Sequence, residues 1–452
     1  MSSYHFRLDR LAKYGLLALL FYVPLTVGAG SFTDTKGIIF AVITLVAAAW
    51  ILLRWEEGAE AELRRLPLLF YIMLSFLGVG LLFFVKPLAL RESLAAFFLL
   101  TVYFVTYGVI STRVKDKADA FVFLWVLTIS ATLVAIKGLN QYLYEFELLS
   151  HHIASNALPI DLGSRVFSTF IGPNALAGFL LLCLPVAFSL SQVAKSSRQR
   201  AFLLVASALI LSTLVLTFSR AGLVVTALLF ALIILAAPSA KRRSVLAGFL
   251  APAVLVVVFA GVAFIAKQGD LRSLQRFFSS VTLSASLSSR LGFWDTAWKI
   301  ARAFPLRGSG IGTFASVFAQ FQTAGSYSQH AHNSYLEMFA ETGFIGGTLF
   351  LIIIALVFSR TLRTFRSLEN ETNKLMVLGL WVGMLGFLLH NLVDFDWYIP
   401  ATALYFWAFA GLAVAFGKVT VPPEGTPAAP PSAAPGRAPK KCLDTVSLRV
   451  IC

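Results

Sequence analysis

Apolar runs recur along this chain at about the length of a membrane crossing, and no other feature constrains its fold as strongly. They fall near 15–31, 37–53, 67–85, 93–110, 120–139, 173–193, 201–218, 221–237, 245–266, 343–358, 374–390 and 399–417. A helix needs about 20 apolar residues to cross the hydrocarbon layer, with a latitude of a few. Most of these windows qualify. Of the 452 residues, 58% are hydrophobic and only 13% charged, with a mean hydropathy of +0.81; soluble domains carry about 25% charged residues. A water-soluble core could not hide so much apolar side chain. The pattern predicts an all-α integral membrane protein of about twelve transmembrane helices. The first apolar run lacks a small-residue cleavage site and is expected to stay as the first helix.

The net charge of +15 is distributed in short clusters between apolar runs. Loops on the cytoplasmic side of a membrane carry such an excess. With the N-terminus inside, each inner segment holds at least three cations: Arg7, Arg10 and Lys13; Arg54, Arg64 and Arg65; Arg113, Lys115 and Lys117; Lys195, Arg198 and Arg200; Lys241, Arg242 and Arg243; and Arg360, Arg363, Arg366 and Lys374. Both ends then lie inside. No long basic face interleaved with aromatics is present, which argues against nucleic-acid binding. Cys183 lies in an apolar run, Cys442 and Cys452 in the tail, and none belongs to a zinc-type pair.

One segment breaks the charge rule. Residues 267–342 fall outside under this topology yet carry Lys267, Arg272, Arg276, Arg290, Lys299, Arg302 and Arg307. Long loops cross a membrane despite charge, so plain surface basicity is one reading; cations facing an anionic ligand is the other. A second outer loop near 141–172 holds His151, His152, Asp161 and Arg165. The expected organisation is a transmembrane domain over 1–420, with 267–342 as a large helical loop between helices 9 and 10. A Pro/Ala-rich tail over 421–452 is expected to be disordered on the cytoplasmic side.

The passage HAHNSYLEMFAETGFIGG, residues 330–347, is the most informative. A histidine beside Asn333 at the mouth of a helix can accept a proton, donate to an anion or cap the helix. His330 and His332 form a His-x-His pair, weak evidence for metal without a third ligand nearby in sequence.

At this passage the chain resembles the O-antigen ligase and O-antigen polymerase superfamily. His332-Asn333 followed by Gly343-x-x-Gly346 is similar to its signature. RVFSTFIGPNALAGFL (165–180), TFSRAG (217–222), SSRLGFWDTAWKIARAFPLRGSGIGTF (288–314) and HNLVDFDWYIPA (390–401) resemble further family segments in consistent order. The resemblance implies a GT-C-like, metal-independent glycosyltransferase of the bacterial inner membrane with its active site on the periplasmic side. Such enzymes need no cofactor. They take a glycan from undecaprenyl pyrophosphate and join it, with inversion, to an acceptor hydroxyl. In a ligase the acceptor is lipid A–core; in a polymerase it is another lipid-linked glycan. The DFDWYIPA ending also resembles polysaccharide polymerases.

The leaving group is a pyrophosphate, and the resemblance implies that no metal takes part, so cationic side chains must stabilise its charge. Arginine grips phosphate oxygens bidentately and stays protonated. By the resemblance Arg220 and Arg290 hold the pyrophosphate and His332 activates the acceptor hydroxyl. Arg272 and Arg276 are further candidate ligands, with a solvated loop face as the plainer reading. Asn333 orients His332, caps the helix or contacts substrate. Arg165 and Asn174 belong to the donor site or anchor a loop. Asp394 and Asp396 hold an arginine, bind sugar hydroxyls, or are polar residues at the interface level. Gly343 and Gly346 are read as permitting close helix packing. A bicarbonate-type transporter is the alternative of another class. It would place ionisable residues at mid-membrane, but here the notable charges lie at the rim; Lys137, near a helix end, reads as snorkelling.

Overall fold

The computed structural model describes residues 3–26, 89–114, 116–145, 165–266, 280–322 and 327–419, with single positions at 42, 46, 47, 73 and 76. The expected windows at 37–53 and 67–85, the cations Arg272 and Arg276, the pair His151 and His152, and the tail 421–452 lie outside the described residues. The helices are α1 (Ser3–Thr26), α2 (Leu90–Arg113), α3 (Lys117–Asn140), α4 (Pro173–Gln192), α5 (Ser197–Leu216), α6 (Arg220–Ala236), α7 (Ser239–Ala266), α8 (Ser280–Ala303), α9 (Phe314–Phe321), α10 (Ser334–Ser367), α11 (Glu371–His390) and α12 (Pro400–Val419). No strand occurs among the described residues.

Seven of these are long and apolar enough to cross a membrane: α2, α3, α4, α5, α10, α11 and α12; α6 is a shorter apolar helix. The protein is an all-α integral membrane protein, as its hydropathy demands. Polar caps start its helices: the side chains of Asp116, Ser196, Ser219, Asn333 and Asn370 each accept from a backbone amide of the first turn that follows. Each such cap stabilises its helix by about 1 kcal/mol.

At the centre stand α4 and α12, whose apolar windows are 94% buried. Lipid tails are as apolar as leucine, so close packing rather than water exclusion holds spans together. The α4–α11 seam shows this: a Cβ at Gly379 would lie 2.9 Å from the Pro185 carbonyl oxygen.

The bundle has two chemically distinct ends. At one, Lys13 pairs with Asp119 at 2.8 Å and Lys418 donates to the Ser111 carbonyl at 3.0 Å. Arg113, Lys117, Arg198 and Arg200, cations of the loops expected to face inside, sit at helix ends on this side. At the other, α10 and α12 begin and α11 ends. Helices of 20 residues separate the two ends by about 30 Å. At this second end α8 and α9 build a small core of their own, in which Ala297, Ile300, Phe314, Val317 and Phe318 are buried.

α10 is not one continuous helix. Gly343 has φ 67° and ψ −176°, which breaks it after its first turns. The loop Pro305–Gly310 splices into the break. Ser309 and Gly310 donate their amides to the carbonyls of Ala340 and Glu341 at 3.0 and 2.9 Å, and the Phe344 amide donates to the Pro305 carbonyl at 2.7 Å. A broken helix exposes just such orphan groups, and in a membrane they must be satisfied by protein. The expectation that Gly343 serves ordinary helix packing is therefore corrected. A Cβ there would sit 2.5 Å from the carbonyl carbon of Leu306, and φ in the left-handed region already favours glycine.

Candidate active site

The start of α10, the end of α11 and the turn between α11 and α12 meet at the second end of the bundle. Ser334 binds them together: its amide donates to the carbonyls of Asn391 and Asp394 at 3.1 and 3.0 Å, and its hydroxyl donates to Asn391 Oδ1 at 2.6 Å. Asn333 caps α10, its Oδ1 accepting from the Tyr335 and Leu336 amides at 3.1 Å. The capping role weighed from sequence is thus the one the geometry shows.

His332, just before this cap, has φ 50°. A non-glycine residue pays about 1–3 kcal/mol to hold such a conformation, and strain of this kind gathers at functional sites. Neighbours fix it: Trp294 Nε1 donates to the His332 carbonyl at 3.2 Å, and the imidazole stacks on Phe293 with ring centroids 5.7 Å apart. Its Nδ1 stands 3.5 Å from Asp394 Oδ1. With 27% of its side chain exposed, the ring reaches the mouth while Asp394 stays buried behind it.

Burial alone would raise the Asp394 carboxyl, but His332, His390 and Arg290 outweigh it and hold it below its ordinary value. Arg290 of α8 is therefore within electrostatic reach of Asp394. Its terminal nitrogen donates to Ser286 at 2.9 Å, while its buried Nε has no hydrogen-bond partner among the described residues. Arg290, His332 and Asp394 are thus brought together from α8, the α10 approach and the α11–α12 turn, although 104 residues of sequence separate the first from the last.

Asp396 lies deeper. Its Oδ2 pairs with His390 Nδ1 at 2.7 Å, and the α4 backbone at Gly178 lies so close that a Cβ there would strike the carboxylate. Burial pushes Asp396 up to about 6, against the pull of His390. At the neighbouring position of α4, a Cβ at Gly222 would meet Ala177, the residue before Gly178. Arg220 opens α6 two positions before Gly222, behind the Ser219 cap. Nearby, Arg165 donates to the Thr217 carbonyl and to Asn174 Oδ1, both at 2.9 Å. Arg165 and Asn174 therefore anchor the loop that precedes Arg220.

The sequence reading missed two buried acids. Glu337 takes His330 Nδ1 at 2.8 Å and the Ala331 amide at 2.7 Å. Glu341 accepts from the Phe314 amide at 3.0 Å and from the Tyr398 hydroxyl at 2.9 Å. Burial, then Glu341 and Glu337, push the Tyr398 phenol well above its ordinary range, so it remains the donor. Burial would lower His330, yet Glu337, with Glu341 and Asp394, lifts it above its ordinary value. Its ring stacks on Phe395 at 4.2 Å, the ring whose plane meets His332 edge-on at 4.9 Å. The available signal was two glutamates four residues apart, on one face of the first helical turns after the histidines.

Residues 205–351 match the family model described as O-antigen ligase. The segment includes Arg220, Arg290, His332, Asn333 and the Gly343 break. A similar curated protein is the exopolysaccharide production protein ExoQ of Rhizobium meliloti (strain 1021), 25% identical over 179 residues. That similarity takes in 36% of this chain and 38% of the relative's length.

Proposed function

We propose, from the premise that residues 205–351 carry a domain of the O-antigen ligase/polymerase superfamily, that this protein is an inverting, metal-independent glycosyltransferase. Its donor is a glycan on undecaprenyl pyrophosphate and its acceptor a hydroxyl, that of lipid A–core in the ligase reading. The reaction takes place at the end of the bundle away from the basic inner loops, the periplasmic side of a bacterial inner membrane. The observation that carries this reading is the convergence of Arg290 with the strained His332 and its carboxylate Asp394.

His332 takes the proton of the acceptor hydroxyl as the oxygen attacks the anomeric carbon. Asp394 holds the imidazole and stabilises the imidazolium that forms. The bond from the anomeric carbon to the phosphate oxygen breaks on the opposite face, and its electron pair leaves with the lipid pyrophosphate. Arg290 and Arg220 stabilise that developing charge. Aimed cationic donors in a water-poor site are usually the largest catalytic contribution. Arg272 and Arg276 remain candidate donor ligands, and Arg165 with Asn174 supports the Arg220 loop.

A polymerase of the same superfamily is the second reading. The similarity to an exopolysaccharide production protein favours it, with a second lipid-linked glycan as acceptor. Deleting the protein and resolving the cell's glycans on a gel separates the two. Single repeats without long chains indicate a polymerase, and accumulated lipid-linked polymer indicates a ligase. Unchanged glycans would overturn both.

A further inference from the structure

Glu337, which the proposed chemistry leaves unused, lies against the chain that leads into His332. It stands on the first turns of α10 and is 1% exposed. Both of its carboxylate oxygens turn back past the start of the helix: Oε1 accepts from His330 Nδ1 at 2.8 Å and Oε2 from the Ala331 amide at 2.7 Å. A glutamate near a helix start often reaches back to the free amide of the capping residue. This one reaches two residues beyond the Asn333 cap.

His332 is thus the single residue between two fixed points, the Ala331 amide held by Glu337 and the Asn333 side chain that caps α10. Its φ of 50° joins them, a conformation that a non-glycine residue keeps only where its surroundings impose it. A second route reaches its ring. The His330 imidazole stacks on Phe395 with centroids 4.2 Å and planes 11° apart, and Phe395 meets the His332 ring at 4.9 Å and 81°. We propose that Glu337 is the positioning residue for His332: by clamping residues 330 and 331 against α10 it holds the imidazole at the mouth, with Nδ1 toward Asp394. The inference rests on the glycosyltransferase reading and adds a residue to the same site.

A general base must stand within hydrogen-bond reach of the hydroxyl it deprotonates, so the placement of His332 sets its rate. Glu337→Ala frees the Ala331 amide and the His330 ring together. Glu337→Gln keeps both contacts, because its carbonyl oxygen can accept from the amide while its NH2 group donates to Nδ1 of a neutral imidazole. Glu337→Asp keeps the charge but is one methylene too short to span both partners. A carboxylate that only complemented the positive start of α10 would give the reverse order, with the aspartate variant tolerated and the glutamine variant not. The three variants therefore separate reach from charge.

The test measures kcat and donor KM for transfer by the purified full chain, with an undecaprenyl-pyrophosphate-linked glycan as donor. Each variant is made in wild type and in the His332→Ala background. Glu337→Ala and Glu337→Asp should lower kcat by about 10²-fold, the cost of a displacement of about 1 Å, and leave the donor KM unchanged. Glu337→Gln should restore most of that loss. In the His332→Ala background none of them should lower the residual transfer further, because residues that act as one unit are not additive. Undiminished kcat in Glu337→Ala, a loss in Glu337→Gln as large as in Glu337→Ala, or a further loss on top of His332→Ala would overturn the proposal. If Glu337→Ala does not purify in folded form, the Glu337→Asp and Glu337→Gln pair decides by the same criteria. A wild type that transfers no glycan, or whose transfer survives His332→Ala, overturns the underlying reading instead.

Discussion

The Phe344 amide donates to the Pro305 carbonyl across 2.7 Å, so the broken helix α10 and the loop before α9 form one structural unit. Two passages that look separate in sequence, PLRGSG and ETGFIGG, are the two halves of a single backbone splice. It fixes where α10 starts, and hence where His332 and Asn333 stand.

Gly343→Ala should therefore damage the site through the backbone. The added Cβ meets Leu306, and φ 67° is unfavourable for alanine. A loss of about 1–3 kcal/mol is expected, read as a lower midpoint of thermal unfolding in detergent together with loss of transfer. An unchanged midpoint would mean that the splice does not hold the fold.

Arg290→Ala and Arg220→Ala should each abolish transfer while membrane insertion stays normal. Lysine at position 290 should not restore it, because a point charge lacks the planar fork that grips two phosphate oxygens. Full activity in both alanine variants, measured in isolated membranes, would remove the pyrophosphate role of these residues.

Added EDTA should leave transfer by the purified protein unchanged, because arginines rather than a metal are assigned to the leaving group. Strong inhibition, reversed by a divalent cation, would overturn that assignment.

The His330–Glu337 pair gives a pH dependence of stability. His330 is raised above its ordinary 6.5, so its contribution is fully present below the unfolded value. That contribution is lost as pH rises through the folded value. Thermal midpoints of the wild type should fall over the interval above pH 6.5, and Glu337→Gln should flatten that fall. Identical slopes would show that the pair carries no such linkage.

Much of the bundle was legible in the sequence because a bilayer imposes it. Ten of the apolar windows, from 93–110 onward and with 15–31, overlap described helices, since span length follows from hydrocarbon thickness. The site was legible in part. His332, Arg290 and Asp394 were each candidates, but no spacing rule brings together residues from three helix ends. Gly343 was misread because a helical pattern continues through it and positive φ leaves no mark on side-chain periodicity. Glu337 and Glu341, four residues apart, share one face of the first helical turns of α10. The chain folds that face inward against His330 and Tyr398, 57 residues beyond Glu341 in the second case.

The central claim is that His332 activates the acceptor while the donor is held by other groups. Donor binding and transfer measured side by side, in wild type and His332→Ala, test it most directly. The account expects His332→Ala to bind the lipid-linked donor as wild type does and to lose transfer by roughly 10²–10⁴-fold, the usual share of a general base. Undiminished turnover in His332→Ala would contradict it.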